Sequence, residues 1–227
     1  MLESQVMSDE LILASGSPRR RELLAWTGWS FAVQPVEVDE TPFPGEQPEV
    51  FVRRLAHIKA QAAVNGNRQA GVILAADTSV ALDGLILGKP AGDADARRML
   101  DLLRGRSHQV YTALSVYLPA ENQWLYDCCR SQVPMRSYTA KEVEAYIASG
   151  DPLDKAGAYA IQHSGFNPVE GFAGCFANVM GLPLCHLVRL LKNAGFNTGR
   201  DIPVLCRERL KYGCRISAQV FAGEDIG

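Results

Sequence analysis

The sequence lacks several features that mark particular classes of protein. It has no apolar run approaching the roughly 18 residues that span a membrane, and its N-terminus lacks the basic-then-apolar pattern of a signal peptide. Its six cysteines form no CxxC pair, and none is spaced from a histidine as in zinc sites. A net charge of -2 argues against binding nucleic acid through bulk positive charge. We therefore expect a cytoplasmic protein with reduced, mostly buried thiols that binds neither nucleic acid nor membrane.

Segments typical of strands and of amphipathic helices alternate along the chain. This pattern predicts an α/β fold, and 227 residues suit one large domain or two small lobes. Thr139 and Glu142 form a capping box that predicts the start of one helix. The apolar run at residues 71–76 predicts a central strand that ends at Asp77, and open α/β sheets bind ligands at such strand ends. We also predict a hairpin formed by short strands at 80–82 and 85–87, and a loop that enters a strand at 151–162.

The segment at residues 11–21 predicts a buried strand, a glycine turn and a helix that begins with arginines. Ser17 suits the N-cap and Pro18 the first helical position, which places Arg19 and Arg20 in the first turn. Cations there oppose the helix dipole at a cost of about 0.3 kcal/mol or more each, unless an anion lies among them. Free backbone N–H groups and two guanidinium groups suit a phosphate, although a solvated basic turn is the alternative.

Further charged residues lie at the ends of predicted elements. Glu40 follows a predicted second strand, Lys59 flanks the apolar stripe of a predicted helix at 48–64, and Lys89 follows a predicted hairpin. Cations suit a polyphosphate, and carboxylates such as Glu40 and Asp77 suit a divalent ion held together with substrate oxygens. These residues leave a kinase, a phosphatase and a pyrophosphatase open. The absence of a GxxxxGK[ST] loop argues against an ordinary P-loop NTPase.

Seven segments, in this order along the chain, closely resemble motifs of the Maf family of nucleoside triphosphate pyrophosphatases. They are LASGSPRR at 13–20, VDE at 38–40, AHIKA at 56–60, AADT at 75–78, LGKP at 87–90, DKAGAYAIQ at 154–162 and VMGLP at 179–183. The resemblance implies hydrolysis between the α and β phosphates of a nucleoside triphosphate, with Mg²⁺ or Mn²⁺ as cofactor. It also implies a homodimer, and a two-lobed mixed sheet with flanking helices, similar to the inosine triphosphatase group, with the active-site cleft between the lobes.

The same resemblance implies roles for individual residues by their positions in these motifs. It implies that Asp77 is the catalytic carboxylate and that Glu40 and Asp77 hold the metal. It implies that the substrate is bound by Ser15, Arg19, Arg20, Lys59 and Lys89. It also implies that the choice of base depends on Arg19, Thr78 and Gln162. Alternatives stay open, because Asp77 could cap a turn, Lys59 could extend to water and Gln162 could be a surface amide.

The segment at 154–162 resembles the branch of the family that acts on dTTP and UTP rather than the branch that acts on 7-methyl-GTP. Residues 163–178 depart from that branch, so we expect a different pocket rim. A broader or 7-methyl-GTP-type pyrophosphatase, or a nucleotide-binding regulator of cell division with little turnover, are the alternatives. We predict a Maf-like domain over residues 1–195 and an extension of unknown role over 196–227.

Overall fold

The computed structural model of the protein describes residues 11–66, 71–192, 194–224 and 226–227. Within these ranges, one sheet is formed by β1 (Leu11–Leu13), β2 (Phe31–Val33), β3 (Val72–Leu82), β4 (Leu85–Leu87), β5 (Ser107–Leu118) and β6 (Gln123–Pro134). The α-helices there are α1 (Pro18–Ala25), α2 (Pro48–Gly66), α3 (Asp93–Leu103), α4 (Ala140–Ala148), α5 (Phe176–Val179), α6 (Leu184–Lys192), α7 (Ile202–Leu210) and α8 (Ser217–Phe221). The predicted mixed sheet with flanking helices is confirmed.

The strand order of the sheet is β2-β1-β3-β5-β6, and β4 pairs with the end of β3. β1 is parallel to both of its neighbours, whereas β5 is antiparallel to both of its own. β1 is short, and its last residue, Leu13, lies opposite Leu74 of β3. Because β3 continues to Leu82, a crevice opens beside it beyond the end of β1.

Alternate residues of β3 face opposite sides of the sheet. Ile73 and Ala75 pack with α2 in one apolar cluster, whereas Leu74 belongs to the larger core on the other side. Since side chains alternate along a strand, Asp77 faces α2 and Thr78 faces the larger core. The period of the strand therefore separates two adjacent polar residues onto two faces of the sheet.

Two predictions of local structure are wrong. Residues 80–82 continue β3, so that Asp77 lies within a strand and not at its end, whereas the predicted hairpin of 80–82 with 85–87 is confirmed. β5 accounts for this, because it pairs with β3 on both sides of the carboxylate. Residues 151–162 contain two 3-10 helices, Asp151–Asp154 and Ala156–Ala158, and no strand. Gly157 interrupts extended backbone there with a φ of 69°.

The C-terminal segment at 196–227 packs on the core through α7 and α8. Ile202 and Val220 are buried in the main cluster, and His186 of α6 contacts the carbonyl of Ile226 through Nε2 at 2.9 Å. The predicted division at residue 195 stays a prediction. The cysteines are free thiols and mostly buried, as predicted. No helix in the described part of the chain is long and apolar enough to cross a membrane.

Candidate active site

The predicted site residues all line one cleft, which has a volume of about 880 Å³. The cleft lies over the crevice beside β3 and is closed by α2, by the start of α1, and by the turns that follow β4 and α5. The predicted residues that it brings together are Ser15, Arg19, Arg20, Glu40, Lys59, Asp77, Thr78, Lys89 and Gln162.

A buried lysine joins the two predicted metal ligands. Lys59, on α2, faces Asp77 across the crevice, and its Nζ lies 2.5 Å from Asp77 Oδ1 and 2.6 Å from Glu40 Oε1. Both Lys59 and Asp77 are almost fully buried, at 8% and 5% exposure. The alternatives in which Lys59 extends to water and Asp77 caps a turn are therefore wrong.

The surroundings shift the pKa values of the two carboxylates in opposite directions. Burial raises the pKa of Asp77, and the positive charges of Lys59 and Arg20 only partly oppose that increase. Glu40 is half-exposed, and although burial opposes its ionisation, its hydrogen bond to Lys59 and nearby charges hold its pKa below the ordinary value. The surroundings thus favour protonation of Asp77 and favour the charged form of Glu40.

The start of α1 has the predicted capping chemistry. Ser17 is the N-cap, with its Oγ accepting from the backbone N–H of Arg20 at 3.4 Å, and Pro18 occupies the first turn, which contains no acidic residue. The two arginines then behave differently. Arg20 donates from Nε to the carbonyl of Gly181 at 2.9 Å and from its two terminal nitrogens to the hydroxyls of Ser15 and Thr78, whereas the side chain of Arg19 has no hydrogen bond or ion pair with the described residues. Arg19 is therefore available to an anion.

Carboxylates neutralise only some of the cations in the cleft. Lys155 is buried, and its Nζ lies 2.6 Å from Asp154 Oδ1 and 3.1 Å from Asp151 Oδ1. Lys59 is paired as described above. Arg19, Arg20 and Lys89 have no carboxylate partner at ion-pair distance among the described residues, and Lys89 is exposed in the cleft. A helix N-terminus with two such cations, together with a third after β4, suits a polyanion.

The carboxylate pair also fits a divalent cation. Glu40 and Asp77 already place two hard oxygen donors around one positive charge, the ammonium of Lys59. No group of three His, Cys, Asp or Glu residues in the described ranges could hold a metal by itself. An ion at this pair would therefore need oxygen atoms from substrate or water, which is how Mg²⁺ is usually held in phosphate sites.

Thr78 and Gln162 both line the cleft; Thr78 lies beside Gly181, in the turn that follows α5, and Gln162 is exposed. None of residues 163–178 lines the cleft, so their departure from the expected pattern does not alter its wall directly. Sequence reasoning missed the polar residues that lie behind Thr78. Thr112 pairs with Thr78 across the sheet, and Asn178 lies just before the VMGLP motif. In the sequence, the one indication of these residues is that each is a polar residue within an apolar segment. Polar residues in such segments are also common where they serve only the structure.

A family model described as "Maf-like protein" matches residues 10–194. A dTTP/UTP pyrophosphatase of Methylococcus capsulatus is 47% identical over 191 residues, covering 84% of this chain and 94% of that protein. A dTTP/UTP pyrophosphatase of Citrifermentans bemidjiense is 43% identical over 188 residues, covering 83% of this chain and 97% of that one. A solved dITP/XTP pyrophosphatase of Mycobacterium abscessus is more distant, with 19% identity and a TM-score of 0.35 over 56% of this chain and 72% of that chain.

Proposed function

Because the chain belongs to the Maf family, we propose that it hydrolyses dTTP and UTP between the α and β phosphates, releasing the nucleoside monophosphate and pyrophosphate. The observation that carries the proposal is the Asp77–Lys59–Glu40 group, in which Asp77 and Lys59 are buried, set beside a helix N-terminus whose arginines have no carboxylate partner at ion-pair distance among the described residues. Relatives that share about 45% of the residues carry the name dTTP/UTP pyrophosphatase and support the choice of substrate.

The described residues divide the work of binding and proton transfer. Arg19 and Lys89 bind phosphate oxygens, since neither side chain has a hydrogen bond or an ion pair with the described residues. Arg20 adds positive charge from a position fixed by its own hydrogen bonds. Asp77 orients a water molecule and accepts its proton, a role that its raised pKa favours. Lys59 holds Asp77 through Oδ1, which leaves the other carboxylate oxygen for the water.

Charge stabilisation accounts for most of the catalysis of phosphoryl hydrolysis. When bound by Glu40 and Asp77, Mg²⁺ or Mn²⁺ supplies positive charge that offsets the charge of the phosphate oxygens. Glu40 suits this task because its lowered pKa keeps it ionised. The cations at the start of α1 and after β4 stabilise the departing pyrophosphate.

The expected cellular location and oligomeric state belong to the same proposal. We place the enzyme in the cytoplasm, as a homodimer that removes unwanted, including modified, pyrimidine triphosphates from the nucleotide pool. Light scattering of the purified chain tests the dimer, and a panel that includes methylated and isomerised bases tests the range of substrates. A preference for 7-methyl-GTP would assign the chain to the other branch of the family.

The central experiment uses purified protein, Mg²⁺ or Mn²⁺, and product identification by anion-exchange chromatography. We expect UTP to give UMP and pyrophosphate, and Asp77→Asn to lose about 100-fold or more of the turnover while remaining folded. Asp101→Asn, an exposed change on α3 outside the cleft, is the matched control and keeps its activity. Release of orthophosphate, or full activity in Asp77→Asn, would refute the mechanism. Tight binding of triphosphates without turnover would indicate a regulator instead.

A further inference from the structure

A chain of hydrogen bonds lies behind the cleft and passes through two threonine hydroxyls. Arg20 Nη2 lies 3.0 Å from Thr78 Oγ1, and Thr78 Oγ1 lies 2.9 Å from Thr112 Oγ1. Thr112 Oγ1 in turn lies 3.0 Å from the backbone carbonyl of Asn178. Thr112 is fully buried, whereas Thr78 is partly exposed and lines the cleft.

The groups at the two ends of this series, the guanidinium of Arg20 and the carbonyl of Asn178, determine the direction of each hydrogen bond between them. A guanidinium group only donates, so Thr78 accepts from Arg20. A carbonyl only accepts, and two oxygens 3.0 Å apart repel each other unless a proton lies between them. The single proton of Thr112 therefore points to Asn178. Thr78 must then donate its own proton to Thr112, since Thr112 has no other to offer.

Asn178, at the buried end of this series of hydrogen bonds, is held by contacts within the core and does not depend on a ligand. The side chain of Asn178 donates to the carbonyl of Val110 at 3.1 Å and to Ser131 Oγ at 2.9 Å. Its backbone carbonyl also accepts from the N–H of Gly181 at 2.9 Å. The acceptor of the Thr112 proton is thus fixed before substrate binds.

This direction limits what Thr78 can offer to a ligand. Its only proton is committed to Thr112, and one of its two lone pairs is occupied by Arg20. The remaining lone pair makes Thr78 an acceptor and not a donor. Gly181 keeps this oxygen approachable, because a Cβ there would lie 3.3 Å from Thr78 Oγ1, and its φ of 109° disfavours other residues.

We infer that Thr112 is a positioning residue for base selection, which takes the proton of Thr78 and so makes Thr78 an obligatory acceptor toward the base. The inference rests on the proposed function. In a uracil or thymine nucleotide the only N–H of the base is at N3, which can donate to Thr78. Cytosine has an unprotonated acceptor at N3, and two acceptors facing each other lose a hydrogen bond and repel. The arrangement favours UTP and dTTP over CTP.

The test compares kcat/KM for UTP and CTP in the wild type, Thr112→Val and Thr112→Ser. We expect the wild type to prefer UTP. In Thr112→Val the proton of Thr78 has no acceptor behind it, so the hydroxyl can turn and donate to cytosine, and the UTP/CTP ratio should fall about tenfold. Thr112→Ser keeps the hydroxyl and should keep the ratio. A Thr112→Val enzyme that loses activity equally on both substrates would overturn the inference and leave Thr112 a purely structural role.

Two further measurements separate the inference from folding and from the proposed function. If Thr112→Val does not fold, Thr78→Val decides the question, because removing the acceptor should reduce kcat/KM more for UTP than for CTP, and an equal reduction would refute the inference. If the wild type hydrolyses neither nucleotide, the proposed function fails. The ratio of the Kd values of UTP and CTP, measured by calorimetry on the same Thr112 variants, then tests the role of Thr112 by itself.

Discussion

Replacing Lys59 with methionine tests the electrostatic core of the site. The side chain of methionine fills a similar volume but leaves the carboxylate of Asp77 buried without its nearest cation. Removing one partner of a buried ion pair costs about 3–5 kcal/mol. Arg20 still acts on Asp77, so we expect the lower end, about 3 kcal/mol at pH 7.5.

The pH dependence of this loss gives a sharper test than its size. Burial already raises the pKa of Asp77 above its value in the unfolded chain, and loss of Lys59 raises it further. The folded variant then holds a proton that the unfolded chain releases near a pH of about 4. Stability therefore falls as the pH rises between these two pKa values. The free energy lost through Lys59→Met should be smaller at pH 5 than at pH 7.5.

Urea unfolding without divalent cations measures the effect in Lys59→Met, Asp77→Asn and the double variant. Asp77→Asn removes the charge that is left without a partner, so the double variant should regain stability at pH 7.5 relative to Lys59→Met. Lys141→Met, at an exposed position on α4, is the matched control and should change stability little. A loss that is the same at both pH values, or that grows when Asp77→Asn is added, would refute the electrostatic reasoning.

Two other predictions follow from single residues. Arg19→Ala should raise KM for UTP about tenfold or more without lowering the urea midpoint, because the side chain has no partner within the described residues; an unchanged KM would exclude it from phosphate binding. Burial lowers the pKa of His108 to about 4, so the unfolded chain binds a proton between pH 6.5 and 4 that the folded chain does not. The wild type should therefore lose about 2 kcal/mol more than His108→Gln on going from pH 7 to pH 5, and parallel stability curves would contradict this.

Local chemistry allowed several elements to be predicted correctly. The start of α1 follows from Ser17 and Pro18, and the start of α4 from Thr139 and Glu142, whose capping box is complete. Such signals act within four residues and need no partner from elsewhere in the chain. The length of β3 could not be predicted in the same way. Its continuation past Asp77 depends on pairing with β5, whose Ala113 lies opposite Asp77.

The residue types at the start of α1 could be predicted from the sequence, because the motif and its capping residues follow one another along the chain. Which partner each charged side chain contacts depends on the fold. Lys59 neutralises Asp77 only because α2 packs over β3, and Arg19 differs from Arg20 only because Gly181 and Thr78 lie beside one of them. Pairing, burial and the direction of a hydroxyl proton depend on distances between distant segments, and only the folded chain sets those distances.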